Sequence, residues 1–151
     1  MAGITPSVEL LQDALSQLES SISWLERSYT QCVAIGIKEN YKAEEYDRYE
    51  NLTSRYARVA DLIIHKVLRS IDAVELMEPG SIIDTANRAE ARGLVDSVET
   101  LRGFKDLRND IAHEYKTDDL AELFSDVLRV TPDLLALARS ILNYGNDLVE
   151  K

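Results

Sequence analysis

The amino-acid sequence predicts an all-α protein, one domain arranged as an antiparallel bundle of roughly four to six helices. Three observations lead there. Apolar residues return at three- and four-residue steps through most of the chain, the repeat of one helix face. Ala, Leu, Glu and Arg are plentiful, and all favour helix. Long polar–apolar alternation, the mark of half-buried strands, is scarce. The chain has 151 residues, 45% of them hydrophobic and 29% charged. Residues 1–151 therefore read as a single domain with one core.

The first helix is expected from about Ser7 to Ile35. Thr5 can cap it, Pro6 suits the first turn, and Gly36 is a plausible stop. Val8, Leu11, Leu15, Leu18, Ile22 and Leu25 form its apolar face. A polar, tyrosine-rich stretch, Lys38 to Tyr49, then leads into a second helix reaching about Met77. Its stripe is Leu52, Tyr56, Val59, Ile63, Val67, Ile71 and Val74, and Glu78-Pro79-Gly80 should end it. Ser81 to Arg92 reads as a shorter helix ending at Gly93. Another starts near Asp96 or Ser97, where Glu99 gives a capping-box spacing, and continues through Arg108 toward His113. Asp118 can cap a further helix, Asp119 to Val130. Thr131-Pro132 is expected to break it before a last segment from Asp133 to about Leu148.

Composition excludes several classes. The lone cysteine, Cys32, allows neither an internal disulfide nor a cysteine-based zinc site; it reads as a small buried residue. Neither a signal peptide nor an apolar run of eighteen residues is visible, so the expectation is a cytoplasmic protein with no membrane partner. No glycine-rich phosphate loop occurs, and ATP hydrolysis has no support. A net charge of −10 argues against a general nucleic-acid coat protein, which needs a basic footprint. His65 and His113 lack a ligand spacing, so neither metal nor cofactor is expected.

One short run carries chemistry: Arg108-Asn109-Asp110-Ile111-Ala112-His113-Glu114-Tyr115. At about 100° per residue, Asn109 and His113 share a helix face, and Arg108 and Tyr115 nearly stack two turns apart. Arg108 and His113 differ by roughly 140°, so only the long arginine side chain brings both to one cleft. From Arg102 to Lys116 the cations are Arg102, Lys105, Arg108 and Lys116, against Asp106, Asp110 and Glu114. The segment is thus slightly basic within an acidic chain. Histidine titrates near neutrality and suits general acid–base work, and arginine suits a phosphate. Chemistry that needs both a base and an acid is more than one His113 supplies at a time. A two-fold homodimer would bring a second.

This run resembles the signature of HEPN-domain proteins, specifically of HepT toxins, in which an Arg and a His four to six residues apart form a ribonuclease centre. Asn109 matches the polar residue common after the arginine. The order of elements, a long amphipathic helix before the motif and a helical hairpin after it, resembles the HEPN bundle across nearly the whole chain. The resemblance implies the toxin of a type VII-like toxin–antitoxin pair, a metal-independent endoribonuclease acting on RNA as a homodimer. Arg108, Asn109 and His113 would be catalytic. It further implies a minimal nucleotidyltransferase antitoxin that transfers AMP to Tyr115. Other readings stay open: a non-catalytic substrate- or nucleotide-binding partner of a nucleotidyltransferase, or a plain helical dimerisation module. Arg108 could pair with a surface carboxylate, Tyr115 could be a buried helix-end aromatic, and Asn109 a helix cap or turn donor. His65, Arg55, Arg58 and Arg69 could form an RNA-contacting stripe or a solvated face. Tyr41, Tyr46, Tyr49 and Tyr56 could stack bases or pack the second helix.

Overall fold

Thr5 opens the first helix, α1 (Pro6–Ile35). Its Oγ1 accepts the Val8 N–H at 3.3 Å, Pro6 occupies the first turn, and Gly36 closes the helix at φ 77°. The computed structural model describes residues 5–114 and 120–151, with only the backbone at Glu114. Every regular element in these residues is helical. Leu11, Leu15, Leu18, Ile22 and Leu25 are buried along α1, as the periodicity requires.

The second helix starts earlier and ends earlier than expected. It comprises α2 (Ala43–Leu62), a π-helical turn (Ile63–Val67) and α3 (Leu68–Val74), joined without a break in helical backbone. The early start follows from the Glu45 carboxylate, which accepts the Lys42 N–H at 2.9 Å, and from aromatic packing. Tyr49 stacks on Phe124 at 4.9 Å, while Tyr41 and Tyr46 meet the same ring edge-on. The π turn also has a sequence cause. Val59, Ile63, Val67 and Ile71 recur in steps of four, each about 40° beyond a full α-turn. One wider turn absorbs that drift and keeps Ile63, Ile64, Val67, Leu68 and Ile71 buried. The helix ends before Pro79: the Met77 N–H bonds the Asp72 carbonyl at 2.8 Å and Leu76 takes φ 62°. This is a Schellman turn with leucine in the left-handed position usually given to glycine.

Next, α4 (Ile82–Ala91) carries the Ser81–Asp84 capping box and closes at Gly93, φ 78°. The motif helix, α5 (Val98–Glu114), follows the expected bounds. The cap proposed at Asp118 and the start at Asp119 lie outside the described residues. From Leu120 to Glu150 runs one helix, α6, so Pro132 does not break it as expected. Pro132 is exposed and interrupts only the rung to Leu128. Next to it, buried Thr131 donates its hydroxyl to the Val127 carbonyl at 2.6 Å.

The core lies among α1, α2–α3 and α6. Helix α1 is antiparallel to both others: Arg55 reaches Ser28 while Lys66 reaches Gln17, and Arg139 reaches Glu26 while Gly145 lies against Leu15. A β-carbon at Gly145 would stand 2.6 Å from Leu15 Cδ2, so a small residue lets these helices close. A half-buried polar network ties the same end of the bundle. Asp72 pairs with Arg88 at 3.0 Å and Arg92 at 2.7 Å, Arg92 also pairs with Glu75 at 2.6 Å, and Tyr144 donates to Glu75 at 2.7 Å. Helix α5 docks on α2 through Tyr56, whose buried hydroxyl donates to the Phe104 carbonyl at 3.2 Å. No helix among the described residues is long and apolar enough to cross a membrane.

Candidate functional site

Residues 108–114 of the motif occupy the last turns of α5, a helix held by Leu101, Phe104, Leu107 and Ile111 on its buried side. That register decides where the polar residues go. Asn109 and His113 fall on the opposite side and are exposed, one turn apart on one face. Neither has a hydrogen-bond partner among the described residues. Glu114 is described by backbone alone, and Tyr115 lies outside the described residues.

Arg108 takes a different direction. Its Nε donates to Asp61 Oδ1 at 2.8 Å and its Nη2 to Asp61 Oδ2 at 3.0 Å, a bidentate pair between α5 and the last turn of α2. These hydrogen bonds raise the Arg108 pKa above the ordinary guanidinium value. The structure therefore brings Asn109 and His113 onto one surface and places Arg108 beside them, against α2. Asp61 was not singled out in the sequence. Forty-seven residues separate it from Arg108, and no local spacing signals such a pair.

Two grooves flank α5. One, of about 590 Å³, lies between α5 and α6 and is lined by Glu99, Thr100, Gly103, Asp133, Ala136 and Ser140, among others. The other, of about 450 Å³, lies between α4 and α5, with Ile64, Ile82, Ile83 and Leu101 beside Arg102 and Lys105. Neither is lined by Arg108, Asn109 or His113. Among the described residues, Asn109 and His113 are exposed and Arg108 is partly exposed.

The remaining candidates divide by burial. Arg55 lies over the Trp24 ring at 5.0 Å and donates to Ser28 at 2.7 Å. Arg69 donates to the Gly80 carbonyl at 3.1 Å. Both bind the fold together, while Arg58 and His65 are exposed. Tyr49 and Tyr56 are fully buried, and Tyr41 and Tyr46 pack on the Phe124 ring, so the tyrosines serve packing. Cys32 is buried, which pushes its thiol pKa up to about 11. No group of three or more His, Cys, Asp or Glu side chains gathers in a metal-binding arrangement among the described residues. In comparisons with known proteins, no family model, curated protein or solved structure matches the chain.

Proposed function

We propose that this protein is a HepT-like toxin, a cytoplasmic endoribonuclease that cleaves RNA without a metal and works as a homodimer. The observation that carries this reading is the run Arg108, Asn109, His113 and Tyr115 in an all-α chain, with Asn109 and His113 open to solvent on one face. An exposed histidine without a partner among the described residues is available to a substrate and to a second copy. In the dimer, one His113 takes the proton from the 2′-hydroxyl. The 2′-oxygen attacks phosphorus, and the bond to the 5′-oxygen breaks. The other His113 protonates that leaving oxygen. The products are a 2′,3′-cyclic phosphate and a 5′-hydroxyl. Arg108 holds the phosphate and offsets its developing charge, and Asn109 orients the substrate or His113.

In this reading a minimal nucleotidyltransferase antitoxin adds AMP to Tyr115. Each phosphodiester brings about one negative charge next to Arg108 and repels RNA. The test compares RNA and DNA as substrates and identifies the product ends. RNA cut to 2′,3′-cyclic ends with DNA untouched supports the chemistry, because DNA lacks the attacking hydroxyl. Cleavage of both, or 5′-phosphate products, contradicts it.

The Asp61–Arg108 pair favours a second reading, in which Arg108 is structural and the chain is a non-catalytic, nucleotide- or substrate-binding partner of a nucleotidyltransferase. Binding of a nucleotidyltransferase without any RNA cleavage would select it.

A further inference from the structure

We propose that Asp61 is the positioning residue for Arg108, holding its guanidinium so that the outer edge faces an RNA phosphate; this rests on the ribonuclease reading above. A guanidinium has five N–H donors. The Asp61 carboxylate takes one from Nε and one from Nη2. The three that remain lie on Nη1 and the outer side of Nη2. That terminal edge can receive two phosphate oxygens side by side. Pairing at one edge thus fixes the plane and leaves the second edge to the substrate.

Asp61 is itself well anchored. Ala60, Ile63 and Ile64 around it are buried, and the π turn begins two residues later, at Ile63. Five residues earlier, Tyr56 ties α2 to the α5 backbone at Phe104. The carboxylate therefore stands on a part of α2 locked against α5. Without it, the arginine side chain would sample several rotamers over an open surface, and each would aim the fork differently.

A carboxylate also carries charge, which opposes binding of a phosphate. Exposure decides between the two effects. The Arg108 and Asp61 side chains are 35% and 40% exposed, so water and salt weaken the charge effect. Directional hydrogen bonds are retained in that setting, and orientation governs. The same exposure means that the pair contributes little to stability, so variants at Asp61 should fold.

The experiment measures steady-state cleavage of a short RNA in EDTA by wild type, Asp61→Ala, Asp61→Asn, Arg108→Ala and the Asp61→Ala/Arg108→Ala double variant, with thermal unfolding alongside. Both Asp61 variants should lower kcat by about tenfold or more, the scale of a misaimed group, with much smaller changes in KM and in melting temperature. The double variant should be no worse than Arg108→Ala, because Asp61 acts only through Arg108. Asp61→Ala cleaving as fast as wild type or faster overturns the proposal, as does a double variant in which the two losses multiply. Loss of activity that tracks loss of melting temperature in both Asp61 variants also overturns it. A wild-type chain inactive in EDTA sinks the ribonuclease reading and this inference together, whereas an active wild type with undiminished Asp61 variants sinks the inference alone.

Discussion

His113 is exposed near the end of α5, so replacing it opens no hole in the core. His113→Ala should keep the helicity and melting temperature of wild type, which circular dichroism checks. Arg108→Lys should behave differently from a simple charge swap. Lysine is a point donor and cannot span both Asp61 oxygens and a phosphate, so activity should fall although the charge is kept. At Cys32 burial holds the thiol protonated, with a pKa of about 11, and the thiolate is the reactive form. The folded protein at pH 8 should therefore resist thiol-modifying reagents and react once denatured; rapid labelling of the native chain would contradict the burial of Cys32, whose thiol donates to the Arg48 carbonyl at 3.4 Å. The faces of Asn109 and His113 were legible because helix phase alone sets them. The direction of Arg108 was not, since its partner is remote in sequence and long side chains choose partners only after the helices dock.

At the scale of elements, two features bear on stability. Leu76 holds φ 62° and is 90% exposed, so it is strained and buries almost nothing. Leu76→Gly should raise stability by about 1 kcal/mol, read by urea unfolding; a loss would mean that the side chain has a structural role. Asp72 is the reverse case. It is 4% exposed and pairs with Arg88 of α4 and with Arg92 just after that helix, and Asp72→Ala would leave both without that partner. A loss of about 3–5 kcal/mol is expected, and a change below about 1 kcal/mol would show the network to be incidental. The presence of the α-helices could be read from periodicity, whereas the π turn at Ile63–Val67 and the continuity of α6 could not. The ends were less legible, because local punctuation competes with packing. Thr131-Pro132 has the local signature of a break, yet α6 continues because Leu134, Leu135, Ala138 and Ile141 are buried beyond it. Likewise Glu78-Pro79-Gly80 follows a helix that the Leu76 turn has already closed.

At the scale of the whole molecule, the proposed ribonuclease chemistry calls for a second copy, since each chain offers one His113. A homodimer with the two His113 side chains near its axis would supply both proton-transfer groups. Sedimentation at micromolar concentration should show a dimer, and a monomer would remove the second acid or base. Control by a partner belongs to this scale too. Co-expression with a nucleotidyltransferase encoded beside the gene should add mass in AMP-sized steps, lost in Tyr115→Phe. A neighbour that neutralises without changing the mass would make inhibition steric. The bundle was legible as a whole because all its long helices carry one apolar stripe, whereas a partner surface leaves no periodic trace in one chain. The most direct measurement of the central claim is RNA cleavage in EDTA by purified wild type beside His113→Ala. Wild type should cut, and the variant should be slower by about 100-fold or more; equal cleavage by both, or activity abolished by EDTA, would contradict a metal-independent centre at His113.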